Sequence, residues 1–306
     1  MLSRTEKNKD KRKKIDKEKN KEKRERRTKI IFKILLVLAI VLISMYITLR
    51  YIGNLGLFIK ESAVINNKVT DSFHGIKIVQ FTDLHYGTTV DTKRLEEIKN
   101  KINNLNPDII VFTGDLVDRH YSITKKESEE VKTLLTEMKA TLGKYAVQGN
   151  HDKNNFDNIM KDTDFIVLDN SYDLIYKDDN NPILITGIGS STLNNTDIDK
   201  AFYYFSDETS NKEIFTIAIM HEPDNIDEML EKYNVDLAFA GHSHNGQIRL
   251  PFTPALVKVK GAKKYYEATY TINNTKLFIS GGIGTSKYPF RLFNHPSINL
   301  IRIRNH

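Results

Sequence analysis

The 306-residue chain contains no cysteine. A disulfide framework, a thiolate metal site and a cysteine nucleophile are therefore excluded. Tryptophan is also absent. No linker rich in proline, glycine or serine divides the chain, and no internal repeat is visible. What is present is ample core material: 40% of residues are hydrophobic and 28% charged, a balance that rules out global disorder. The net charge of +7 is unevenly spread. Fifteen of the 46 Lys/Arg and six of the 39 Asp/Glu fall in residues 1–29, so this tail carries +9 and the remainder is near neutral at −2. A body that grips nucleic acid through a basic face is not expected.

Residues 1–29 form a low-complexity charge block with little to bury, expected to be a disordered cytoplasmic tail that either stays solvated or contacts anionic lipid headgroups or RNA. Ile30 to Leu49 follows as an apolar run whose only charge is Lys33, near one end. About 20 apolar residues are enough to span a bilayer as a helix. Residues 30–52 are thus expected to be a transmembrane signal anchor. The positive-inside rule places the basic tail in the cytoplasm and residues 53–306 outside the cell membrane. A cleaved signal is the alternative, although no small-x-small cleavage site precedes Gly53. Arg26-Arg27 is only a partial match to a twin-arginine export signal.

From about Ile59 the chain reads as one α/β domain. Apolar runs at 76–81, 109–113, 145–148, 214–220 and 237–240 suggest strands. Helical periodicity starts near Asp91, with Leu95, Ile98 and Ile102 on one face; it recurs over 126–142, ending at Gly143, and over 224–233. Polar clusters follow the strands: Asp83-Leu-His85, Gly114-Asp115, Gly149-Asn150-His151-Asp152, His221-Glu222 and Gly241-His242-Ser-His244. Ligands bind outside the carboxyl ends of strands in open α/β sheets, so five separate segments are expected on one rim. Asp83, His85, Asp115, Asn150, His221, His242 and His244 are seven oxygen or nitrogen donors. That is too many for one ion and enough for two sharing a carboxylate, with Mn, Fe or Zn the best matches. Glu222 is expected to be a solvated neighbour. Gln247 and Arg249 are candidate substrate contacts, and Arg291 a candidate at the site mouth. His74 and His120 are expected at the surface.

This motif series, in order and spacing, resembles the calcineurin-like metallophosphoesterases over residues 74–303. It is most similar to their membrane-anchored bacterial branch, through His221-Glu-Pro-Asp224, the Gly241–Pro251 stretch and Gly281–Ser286 followed by Pro289-Phe-Arg291. The chain departs from that branch at Asn245, where glycine is usual, and at Ser297, where glutamate is usual. The resemblance implies a four-layer αββα sandwich, the metallo-dependent phosphatase-like fold, preceded by one transmembrane helix. It implies that Asp83, His85 and His244 hold one divalent metal ion, that Asn150, His221 and His242 hold the other, and that Asp115 bridges them. A metal-bridging hydroxide would be the nucleophile and His151 the acid, with Asp152 orienting His151. The implied activity is hydrolysis of a phosphodiester, pyrophosphate or phosphomonoester in a lipid or cell-envelope substrate. The alternative is a non-catalytic, metal-bound binding module at the membrane surface.

Overall fold

The computed structural model describes residues 4–152 and 155–306. The chain separates into two compact units, Met1–Thr48 and Leu49–His306. One helix, α1 (Arg4–Arg50), runs through the first unit. The segment expected to be disordered is therefore helical from Arg4, and Met1–Ser3 lie outside the described residues. Lysine, glutamate and arginine are strong helix formers, and residues 4–50 contain neither glycine nor proline. Glu22 and Arg26 are spaced i,i+4, which adds local support. The apolar run of this helix is exposed from Ile30 to Ile47. It is long and apolar enough to cross a membrane.

The second unit holds two six-stranded sheets. The first is built from β1 (Phe58–Ile65), β2 (Lys77–Phe81), β3 (Ile109–Phe112), β4 (Gly143–Ala146), β5 (Phe165–Val167) and β12 (Ser297–Arg304). Its order is β1-β12-β2-β3-β4-β5, with β2 to β5 parallel. The second contains β6 (Ser171–Lys177), β7 (Asp179–Gly187), β8 (Thr216–Ile219), β9 (Leu237–Ala240), β10 (Thr269–Ile272) and β11 (Thr275–Ile279). Its order is β10-β11-β9-β8-β7-β6, with β7, β8, β9 and β11 parallel.

Ile78, Ile109 and Val111 of the first sheet and Ile185, Ile217 and Phe239 of the second share one buried cluster between the sheets. The other face of the first sheet is covered by α2 (Thr92–Asn104), α3 (Lys125–Thr136) and α4 (Phe156–Met160). The other face of the second is covered by α5 (Ile198–Ala201) and α6 (Ile226–Lys232). These are the four layers of an αββα sandwich. The near-continuous apolar runs of the strands follow from burial on both faces.

Helix α2 begins where the Asp91 side chain accepts a hydrogen bond from Arg94 N at 2.8 Å, an N-cap. Helix α3 opens on a Thr124–Glu127 capping box but stops at Thr136, short of the expected 142. The Lys144 ammonium donates to the carbonyls of Leu135, Thr136 and Met138, which satisfies the last turn. Gly143 then opens β4 instead of closing the helix. β1 and β10 had no clear sequence signal; β1 is an edge strand, parallel to β12.

Phe239 is fully buried between the sheets. Phe239→Ala is expected to cost about 3–5 kcal/mol of stability. Urea unfolding of the detergent-solubilised protein measures this, and an unchanged midpoint would contradict the placement of Phe239 in the inter-sheet core.

Candidate metal centre

Parallel strands bring their carboxyl ends to one edge, and the polar clusters follow those ends. Asp83 and His85 follow β2, Asp115 follows β3, Asn150 and His151 follow β4, His221 follows β8, and His242 and His244 follow β9. Five of these side chains are aimed by left-handed backbone: Asp83, His85, Asp115, His242 and His244 have φ of 51°, 43°, 60°, 65° and 47°. Such conformations cluster at functional sites. Gly149 is required by close approach, since a Cβ there would lie 2.3 Å from Asp115 Oδ1. Asn245 has φ 46°, the turn conformation in which asparagine is tolerated.

The donors form two groups that share one oxygen. In the first, His244 Nε2 lies 3.2 Å from Asp83 Oδ1 and 3.1 Å from His85 Nε2. His85 Nε2 lies 3.6 Å from Asp115 Oδ2. In the second, His221 Nε2 lies 3.3 Å from the same Asp115 Oδ2, 3.1 Å from Asn150 Oδ1 and 3.2 Å from His242 Nδ1. All seven sequence-derived ligands are thus brought together.

The outward nitrogens fix the tautomers. His221 Nδ1 donates to Thr113 O at 2.7 Å and His242 Nε2 to Lys260 O at 2.7 Å. Lone pairs are left facing the centre, the arrangement of metal-ligating histidines. Imidazole nitrogens facing one another beside buried carboxylates repel unless a cation sits between them. The donor set therefore fits two divalent ions, one per group. All-oxygen and nitrogen donors suit Mn, Fe or Zn without selecting among them.

The electrostatics agree with a site shaped for positive charge. Burial disfavours the Asp83 and Asp115 carboxylates, yet His244 beside the first and His221 beside the second hold both well below the usual range. His221 is also buried, but Asp115 raises it well above its ordinary value. Burial lowers His244 to about 4, opposed by Asp83. Burial and then His221 lower His242.

His151 stands beside the centre. Its Nδ1 lies 3.2 Å from Asp118 Oδ2, and its Nε2 accepts from Arg119 Nε at 3.2 Å. Asp118 Oδ2 also lies 3.5 Å from His85 Nδ1. Burial opposes ionisation of Asp118, but its contacts with His151 and His85 hold it far below the usual carboxylate range. Asp118, and not Asp152, is therefore the residue that orients His151. Asp152 instead accepts from Asp115 N at 2.7 Å, Leu116 N at 2.7 Å and Gly149 N at 2.9 Å, which ties two ligand loops together. Burial, then the Asp115 carboxylate, push Asp152 up to about 7. Asp118 and Arg119 were missed from sequence; the available signal was their position in the same post-strand loop as Asp115.

A cleft of about 460 Å³ opens over the centre, lined by Arg119, Asn150, His151, Gln247, Val257 and Tyr288 among others. Gln247 lines it as expected, although its amide also braces the rim, donating to Tyr288 O at 3.0 Å and Phe290 O at 3.1 Å. Arg249 does not face the substrate. It is held in a two-point pair with Glu267, at 2.5 and 2.9 Å. Glu222 is buried, not solvated, and accepts from Ser190 Oγ at 2.6 Å. Arg291 is fully buried and is absent from the site mouth. His74 and His120 are exposed, as expected.

Comparison with known proteins agrees with this geometry. The family described as calcineurin-like phosphoesterase matches residues 76–246. An uncharacterized metallophosphoesterase, YkuE, of Bacillus subtilis (strain 168) is 30% identical over 250 residues, covering 80% of this chain and 85% of that protein. A transmembrane protein with metallophosphoesterase domain of Danio rerio is 25% identical, covering 78% of this chain and 55% of its own length. The UDP-2,3-diacylglucosamine pyrophosphatase LpxG of Chlamydia muridarum (strain MoPn / Nigg) is 27% identical, covering 75% of this chain and 84% of that protein. By the family match and the likeness to YkuE, the chain belongs to the calcineurin-like phosphoesterase family.

Proposed function

We propose that the protein is a two-metal phosphoesterase, anchored in the cell membrane by α1, that cleaves a phosphodiester or pyrophosphate bond in a lipid or cell-envelope substrate. The observation that carries this is the single oxygen, Asp115 Oδ2, shared by two groups of inward-facing donors. Asp83, His85 and His244 would hold one ion, Asn150, His221 and His242 the other, with Asp115 between them. When bound, such a pair acidifies water and neutralises charge on the phosphate.

The chain's own residues do the rest. Arg119 borders the cleft, where its guanidinium suits the non-reacting phosphate oxygens. His151 lies with Nδ1 3.2 Å from Asp118 Oδ2 and Nε2 at the cleft beside Arg119; with Arg119 turned to a substrate phosphate, Nε2 would be placed to protonate the leaving oxygen. Asp152 fixes the spacing of the Asp115 and Asn150 loops through backbone amides, a positioning role. The excess of Lys and Arg ahead of the apolar run of α1 supports a cytoplasmic N-terminus and an outer catalytic domain. The likeness to LpxG supports a lipid-linked pyrophosphate as one substrate class.

Metal-stripped protein resupplied with Mn²⁺ is expected to hydrolyse bis(p-nitrophenyl) phosphate, and Asp115→Asn to abolish this. Turnover that survives chelation, or survives Asp115→Asn, would sink the two-metal reading. His151→Ala is expected to lower turnover of an alkyl diester about 10²–10⁴-fold with bound metal unchanged by elemental analysis. Asp118→Asn touches both His151 and His85, so a loss of about 10–100-fold in metal affinity or activity is expected. An unchanged thermal midpoint in the same variant separates this from unfolding, and full activity would remove Asp118 from the machinery.

A further inference from the structure

The rim of the cleft is bonded to the place where the apolar run of α1 ends. Arg291 N donates to Leu49 O at 3.0 Å, and the Asn54 amide donates to Arg50 O at 3.0 Å and Pro289 O at 3.2 Å. Gly53 lies so close to this rim that a Cβ would meet Arg291 O at 2.0 Å. The same rim walls the cleft through Lys287 and Tyr288. Arg249 N donates to Leu292 O at 3.0 Å and Leu292 N to Gln247 O at 3.2 Å. Beyond Arg249 runs the loop 250–260, whose Val257, Val259 and Lys260 also line the cleft. Chain exit, cleft rim and loop are therefore one hydrogen-bonded assembly.

The loop is unusually apolar for an exposed segment. Leu250, Phe252, Leu256 and Val257 are exposed, Phe252 completely so. Apolar groups displayed together at one place mark a surface with an occupant. The surroundings define its chemistry. Residues 249–264 contain five basic residues and no acidic one, and Lys258, Lys260 and Lys263 are exposed. Exposed aromatics flank the chain exit: Arg50 lies over the Tyr51 ring at 5.2 Å and Lys287 over the Tyr288 ring at 5.4 Å. Apolar tips, a lysine collar and aromatics at the end of an apolar helix are the composition that binds anionic headgroups.

We infer that loop 250–260 docks on the anionic surface of the membrane that α1 crosses, with Leu250, Phe252 and Leu256 inserted below the headgroups. The cleft then opens onto the headgroup layer and draws a phosphoester-bearing lipid from that same leaflet. This deepens the proposed function and rests on its anchored, phosphoesterase reading.

The absence of tryptophan makes a direct test available. Phe252→Trp introduces the sole indole of the full-length chain, which is reconstituted into phosphatidylcholine vesicles containing phosphatidylglycerol, with or without acyl-brominated lipid. A blue-shifted emission that bromine quenches is expected. The control, Tyr203→Trp at an exposed position beside α5, is expected to emit as in water and remain unquenched. A water-like, unquenched indole at position 252 overturns the docking, as does equal quenching of the control. Equal quenching in vesicles of phosphatidylcholine alone overturns the anionic preference. A second variant, Phe252→Ser/Leu256→Ser, is expected to keep bis(p-nitrophenyl) phosphate turnover in detergent while losing association of the loop with vesicles, read by vesicle protection of Lys258 and Lys260 from acylation in the parent and its loss in the variant. Quenching without any metal-dependent turnover would leave docking standing and overturn the phosphoesterase reading. Turnover without quenching would do the reverse.

Discussion

Everything near the sheet edge depends on holding seven electron-rich donors, two of them buried carboxylates, in two close groups that meet at Asp115 Oδ2. No neutral arrangement of imidazole and carboxylate would select this by itself. Five ligands sit in left-handed backbone, a conformation that costs on the order of 1–3 kcal/mol where it is strained. It persists because the strands behind it are rigid: their residues between the sheets are almost completely buried. The loops that carry the ligands are therefore bent by the sheets and not by the ions. Asp152 adds a tie of its own, since one carboxylate accepts backbone amides from both the Asp115 and the Gly149 loops.

The same crowding assigns the roles of the surrounding groups. Thr113 O and Lys260 O accept the outer protons of His221 and His242, so the inner lone pairs are committed before any ion arrives. Asp118 serves two histidines at once, His85 and His151. One of these is a candidate ligand and the other the candidate acid. A single carboxylate thus fixes the position of a candidate ligand and of the candidate acid together, a consequence of one side chain's reach.

The sequence made the ligands legible because each is local to a strand end: a short apolar run followed at once by Asp, Asn or His can be read without knowing its neighbours. The layered architecture was legible for the same reason. What escaped were the partnerships between segments distant in the chain. Nothing near Arg249 announces Glu267, and nothing near His151 distinguishes Asp118 from Asp152 as its partner; both aspartates lie within one turn of a ligand. Glu222 reads as a surface acid beside His221 until the loop at Ser190 folds over it. The apolar periodicity of α3 continues through Met138 and Leu142, whereas its end is set by a lysine on the following strand. Residues 4–29 are helical through the intrinsic propensity of lysine, glutamate and arginine, which their charge content conceals.

Arg291 shows how the centre and the rim are joined. It is fully buried, and its guanidinium donates to the carbonyls of Gly281, Gly284 and Asn294. Ser297, standing where related sequences were expected to carry glutamate, is also buried, and its hydroxyl has no partner. Backbone carbonyls thus take the terminal nitrogens of the cation, while Nε has no partner among the described residues; Asp83 is the carboxylate that favours its charge, and burial lowers it to about 10. A guanidinium keeps its charge at any physiological pH even so. Removing it would strand three carbonyls and loosen the segment that binds both Leu49 and the wall of the cleft. The residue therefore links the candidate ligand Asp83 electrostatically to the segment that holds Leu49 and walls the cleft.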